Sequence, residues 1–140
     1  MVIQTGKSAV DIFKCREVVF ELRPQLEQEN LLVIIQEMMS EGYQFAYIEV
    51  DGKAVSFIGY RYLQYLYNGK HIYIDDLSTL PKYRGKGYAD KLLQHVEQIA
   101  ILKGYDVVTL DSGHQRTDAH RLYLNKGFNI VARHFSKRIK

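Results

Sequence analysis

Apolar residues recur at helical spacing through the N-terminal part of the chain. From about Ser8 to Arg23, the positions Val10, Ile12, Phe13, Val18, Val19 and Leu22 fall mostly three and four apart, which predicts a first helix. Pro24 stops that helix and is placed to open a second, because a proline in a first turn gives up no needed hydrogen bond. The second helix is expected to reach about Glu41, with Leu31, Ile34, Ile35 and Met38 on one face and Gly42 closing it. The pattern then turns to strand. Tyr43–Val50 and Ala54–Leu66 are rich in aromatic and β-branched residues and flank Asp51-Gly52, a two-residue hairpin signal. Asn68-Gly69 repeats the signal before a third strand, His71–Leu80. After Pro81 the helical period returns in Ala89, Leu92, Leu93, Val96, Ile99 and Ala100, and Lys103-Gly104 closes this helix. Tyr105–Leu110 reads as a short strand, about Thr117–Lys126 as a helix capped by Gly127, and Phe128–Arg133 as a last strand.

Three successive antiparallel strands followed by strand–loop–helix–strand predict an α/β (α+β) fold. Its central sheet is mixed and mostly antiparallel, with helices on both faces, because a helical crossover joins parallel strands. No linker, repeat or low-complexity stretch interrupts the chain, so a single domain over residues 1–140 is expected. A content of 46% hydrophobic and 25% charged residues is that of a folded globular protein. No apolar run has the length of a membrane-spanning helix and no secretion signal precedes the first helix, so a cytoplasmic protein without a membrane partner is expected. The single cysteine, Cys15, rules out an internal disulfide and reads as a small core residue. No histidines and carboxylates stand at metal-ligand spacing, so no metal is expected. A net charge of +3 is too small to argue for nucleic-acid binding.

The distribution of that charge says more. Lys82, Arg84 and Lys86 surround Gly85 and Gly87 between a strand and a helix start. Glycines let the backbone approach a ligand, and the first helical turn offers unpaired N–H groups and a partial positive charge. Together these suit a diphosphate. A nucleotide P-loop is absent, because its spacing and its Lys-Ser/Thr pair are missing. A dinucleotide fingerprint begins correctly but fails at its sixth position, Asp90, and Pro81–Arg84 stands where a tight turn is required. The remaining pattern is Arg or Gln, two residues, Gly, one residue, then Gly or Ala.

With that pattern in place, two motifs resemble the GCN5-related N-acetyltransferase (GNAT) superfamily. Asp76-Leu77-Ser78-Thr79-Leu80-Pro81 followed by Lys82-Tyr83-Arg84-Gly85-Lys86-Gly87 is similar to its coenzyme A loop and the strand before it. Ala119-His120-Arg121-Leu122-Tyr123-Leu124-Asn125-Lys126-Gly127-Phe128 is similar to its second signature. The resemblance implies acetyl-CoA as co-substrate. Backbone groups of Leu77, Ser78 and Thr79 would then pair with the pantetheine arm. The amides of Arg84, Gly85, Lys86, Gly87, Tyr88 and Ala89 would hold the pyrophosphate. Lys82 stands where the family usually has Arg or Gln, a change of little weight where the backbone binds. Arg116 replaces a common asparagine and could reach a coenzyme phosphate. A bulge near Asp76 would reconcile the odd separation of apolar Ile74 and Leu77, and would free an amide to stabilise an oxyanion, an effect of about 3 kcal/mol per donor.

Tyr123 matches the family tyrosine that protonates the leaving thiolate, a role for which a phenol has a suitable pKa. For the base, the candidates are Asp75 and Asp76, of which only one should meet the substrate unless a bulge intervenes. Glu49 is a weaker choice, and His114 and His120 read as surface or helix-face residues. Tyr60, Tyr62, Tyr65 and Tyr67 could line a pocket or serve as core and edge aromatics. The expected activity is direct transfer of an acetyl group to a primary amine of a small molecule. A peptide or protein amine, or a coenzyme-binding sensor, is the alternative, and the family suggests a possible homodimer.

Overall fold

The computed structural model describes residues 1–113 and 115–140, so His114 lies outside the described residues. The described chain forms two compact units, residues 1–109 and 110–140.

In the first unit, a short β1 (Ile3–Thr5) leads into α1 (Ala9–Lys14) and α2 (Arg16–Leu22). The single first helix read from the periodicity is broken at Cys15, which caps one helix and starts the next while fully buried. Asp11 anchors the start of α1. Its carboxylate accepts from the amides of Lys7 and Ser8 and from the phenol of Tyr47. Pro24 opens not the second helix but a 3-10 turn, Pro24–Gln28. The helix itself, α3 (Leu31–Ser40), starts where the Asn30 side chain accepts from the Val33 amide, a side-chain cap stronger than the proline signal.

The strands β2 (Gln44–Val50), β3 (Lys53–Tyr65) and β4 (Gly69–Thr79) form the antiparallel meander, and α4 (Tyr88–Lys103) carries the chain to β5 (Val107–Leu110). The five strands lie in chain order in one mixed sheet. Sequence periodicity missed β1, whose three residues are too few to show an alternation; it pairs antiparallel with β2. The sheet carries a helical layer on each face. On one, Ser78 Oγ donates to the Val18 carbonyl of α2 at 2.8 Å, beside the stacked rings of Phe45, Tyr47 and Phe57. On the other, Leu92, Leu93, Val96 and Ala100 of α4 are buried, and the Lys103 ammonium sits 4.3 Å over the Tyr62 ring. The four tyrosines of β3 and its turn divide accordingly: Tyr60 is core, Tyr62 stacks edge-on with it, and Tyr65 and Tyr67 stack on each other in the open. No helix among the described residues is long and apolar enough to cross a membrane.

The second unit holds α5 (Thr117–Asn125) and the residues after it. The expected strand Phe128–Arg133 does not form. A strand exists only where a neighbour accepts its ladder, and among the described residues this segment has no ladder; its apolar Ile130 and Val131 stand exposed.

Candidate active site

The β3–β4 ladder changes register in its middle. Gly59 pairs with Asp76 and Tyr60 with Ile74, so Asp75 is an extra residue, a β-bulge beside the position where the sequence required one. The inserted residue restores Ile74 and Leu77 to one side, and both are buried there. It also brings both carboxylates to the α2 side, against the expectation that strand alternation would separate them.

Their surroundings differ. Asp76 is saturated: Arg23 at the end of α2 donates through Nε (3.2 Å) and Nη2 (3.0 Å) to Oδ1, and the Tyr43 phenol donates to Oδ2 at 2.7 Å. The Asp75 carboxylate has one partner, Arg61 Nε at 2.9 Å on Oδ2, while the Asp75 carbonyl accepts from Arg23 Nη2 at 3.4 Å. Its Oδ1 is buried with no hydrogen bond among the described residues. Burial raises the Asp75 pKa above the usual carboxylate value, against the Arg61 guanidinium, which pulls it down. An under-solvated carboxylate is a stronger base. Burial, followed by the neighbouring Asp76 charge, holds the Tyr43 phenol well above its ordinary pKa, so it stays a donor.

Tyr43, Arg23, Arg61 and Gly59 were not singled out from sequence. A signal was present in Gly59, a glycine inside a long strand, which marks close approach of another group. A Cβ there would lie 1.7 Å from the Tyr43 hydroxyl, so the phenol reaches Asp76 only because position 59 has no side chain. Tyr43 is only 2% exposed and cannot swing away. Gly59→Ala is therefore expected to destabilise the protein by roughly 2–4 kcal/mol, from overpacking and a lost buried hydrogen bond, read by denaturant unfolding.

At the end of β4, Leu77 and Ser78 are buried and Thr79 is half-buried. Their ladder to β3 is continuous, Ile58 with Leu77 through Ser56 with Thr79. The chain then turns through Pro81–Tyr83 into the glycine loop. Gly85 and Gly87 have φ of 75° and 84°, and no atom lies within 4 Å of where a Cβ would stand on either. Gly87 is the N-cap of α4 and no side chain caps the helix, which leaves the amides of its first turn for an outside acceptor. Asp90 in that turn accepts from Gln94. Lys82, Arg84 and Lys86 are exposed, and Tyr88 and Ala89 half-buried. The Arg84 guanidinium donates to the Thr79 carbonyl (3.1 Å) and pairs with Glu21 (3.2 Å), bracing the loop against β4 and α2. The residues present thus fit a diphosphate: open space over two left-handed glycines, uncapped amides and flanking cations. Gly87→Val is expected to weaken coenzyme A binding at least tenfold, since a β-branched residue is strained at that φ and fills the approach; calorimetric titration would read it.

In the second unit, Arg116 is the exposed N-cap of α5 and Tyr123 lies on that helix, 8% exposed and edge-on to Phe128 at 6.0 Å. Burial raises the Tyr123 pKa, with Arg116 pulling the other way. The phenol therefore remains protonated through neutral pH. His120 is half-buried and its ring nitrogen Nε2 lies 2.7 Å from the Gly113 carbonyl. Glu49 pairs with Lys14 at 3.0 Å.

Residues 9–128 match the acetyltransferase (GNAT) family. The chain is 32% identical to an uncharacterized N-acetyltransferase, YhdJ, of Bacillus subtilis, over 86% of each chain. It is 31% identical to the aminoalkylphosphonate N-acetyltransferase of Salmonella typhimurium over 62% of this chain and 57% of that one. Its fold superimposes on an aminoglycoside N-acetyltransferase in complex with CoA with a TM-score of 0.84 at 18% identity, covering 98% of this chain and 93% of the other.

Proposed function

This chain belongs to the acetyltransferase (GNAT) family and is an N-acetyltransferase, and from that premise we propose that it acetylates a primary amine of a small molecule with Asp75 as the base. The observation that carries the assignment is the unequal treatment of the two bulge carboxylates. Asp76 spends its oxygens on Arg23 and Tyr43, and Asp75 keeps an oxygen without a partner. A relative named for an aminoalkylphosphonate supports a small amine as acceptor.

Acetyl-CoA, the co-substrate of the family, would supply the activated acetyl group. The amides of Gly85–Ala89 would hold its diphosphate, with Lys82, Arg84 and Lys86 adding charge, and the backbone of Leu77–Thr79 would pair with its arm. Arg116 is a further candidate for a coenzyme phosphate. Asp75 would take the proton of the incoming ammonium and so expose the nitrogen lone pair. The bulge amide would donate to the developing oxyanion. As the C–N bond forms and the C–S bond breaks, Tyr123 would give its phenolic proton to the departing sulfur. The second proton lost by the nitrogen would return to the phenolate through solvent, Asp75 would release its own proton to water, and the neutral amide and free thiol leave. No covalent acetyl-enzyme is needed; Cys15 is buried and its thiol is pushed far above its usual pKa by burial.

Thiol release with acetyl-CoA against a panel of small amines tests the reading. Turnover of at least one amine is expected, together with about 2.7 kcal/mol of added stability at a coenzyme concentration 100 times its Kd. Stabilisation with no turnover of any small amine, but acetylation of a peptide, would overturn the acceptor class.

A further inference from the structure

Resting on that reading, we infer that the acceptor amine also carries an anionic group, a carboxylate or a phosphonate a few bonds from the nitrogen, and that Arg61 receives it. The Arg61 guanidinium uses only Nε, on Asp75. Among the described residues no protein group accepts from its two terminal nitrogens, and neither is a buried atom, so both face solvent beside the carboxylates. A guanidinium fork that no protein group occupies is available to a ligand, and the partner that fits it is a planar or tetrahedral oxyanion bound through two parallel N–H groups.

The placement makes this more than a spare cation. Arg61 pairs with Tyr73 on the ladder, two residues before the bulge, so its side chain falls on the same side as both carboxylates. Its guanidinium carbon sits 5.2 Å over the Tyr43 ring. That ring, fixed by its bond to Asp76 and by the absence of a side chain at Gly59, limits where the fork can turn. The arginine therefore holds a defined position beside the base. An amine approaching Asp75 meets the fork next to it.

Charge balance selects the same class. The four ionic groups of the cluster, Asp75, Asp76, Arg23 and Arg61, cancel pairwise in two bridges of 2.9 and 3.0 Å. A neutral cluster that sets a guanidinium fork open to solvent beside a carboxylate with one buried, unpartnered oxygen complements a zwitterion. A polycation finds no equivalent reception on the adjoining helix. Glu17 and Glu21 of α2 are engaged by Lys53 and Arg84 at 3.0 and 3.2 Å.

The test compares isosteric amines as acceptors: 2-aminoethylphosphonate and β-alanine against propylamine and ethanolamine, with spermidine as the polycation. The wild-type protein is expected to favour at least one of the two zwitterions over the uncharged amines by at least tenfold in kcat/KM, and the favoured member tells phosphonate from carboxylate. Arg61→Gln should raise KM for that zwitterion at least tenfold and flatten the preference, and Arg61→Lys should restore part of it, keeping the charge without the fork. Coenzyme A affinity and the melting temperature of each variant report whether it folds. Equal rates on zwitterions and uncharged amines, a preference for spermidine, or a preference that survives Arg61→Gln would each overturn the inference while leaving the acetyltransferase reading in place. Loss of coenzyme binding by the wild type would instead strike the reading beneath it.

Discussion

Asp75→Asn is expected to lower kcat by roughly 100- to 10,000-fold, the contribution of a positioned acid or base, with coenzyme A affinity unchanged. Its pH dependence is the sharper signature. Burial first, against the pull of Arg61, raises the Asp75 pKa above the ordinary 3.8. The acid limb of kcat/KM should therefore climb at a higher pH than an unshifted aspartate would give, and the substitution should abolish that limb. The same shift has a sign for stability. A carboxyl whose folded pKa is raised binds its proton more tightly when folded. Its stabilising contribution is thus complete below pH 3.8 and is lost as pH rises through the folded value. At neutral pH the charged Asp75 is a cost, so the asparagine variant should melt no lower than the parent at pH 7 while being nearly inactive. Asp76→Asn should behave oppositely. It releases Arg23 and Tyr43 together, so the fold is expected to weaken along with the rate.

Tyr123→Phe is expected to reduce kcat by a similar roughly 100- to 10,000-fold with KM for the coenzyme little altered. The ring is buried against Phe128, and phenylalanine keeps that packing. Only the proton is lost. Because burial raises the phenol's pKa, the parent enzyme should stay active into the alkaline range and decline only where the phenol ionises. A poor leaving thiolate depends on that proton more than a good one. Replacing the coenzyme thioester with one of a more acidic thiol should rescue the variant in part. Wild-type rates in Tyr123→Phe would remove the residue from the mechanism.

What the chain's pattern made legible follows from how local each determinant is. The meander was readable because Asp51-Gly52 and Asn68-Gly69 dictate turns by themselves, and the observed strands β2, β3 and β4 meet at those two turns. The glycine loop was readable because Gly85 and Gly87 are needed for backbone reasons that hold in any context. The break at Cys15 was not readable, since nothing in that residue's propensity stops a helix; the residue is fully buried at the junction of α1 and α2. Phe128–Arg133 has strand composition but no ladder partner among the described residues, and composition alone does not make a strand.

At the site, the bulge was foreseeable from the phase of Ile74 and Leu77, yet its consequence was not. Which carboxylate is neutralised depends on Tyr43 and Arg23, 33 and 53 residues from Asp76 in the chain. Contacts of that separation leave no local periodicity. Gly59 was their one trace in the sequence, a missing side chain in the middle of β3.

The account rests on main-chain amides at the start of α4 gripping a diphosphate, and amide NMR of the protein titrated with coenzyme A tests it most directly. The largest and saturating shifts are predicted at Gly85, Lys86, Gly87, Tyr88 and Ala89, with smaller ones along Leu77–Thr79. Saturation with those five amides unmoved, and shifts gathered elsewhere, would contradict it.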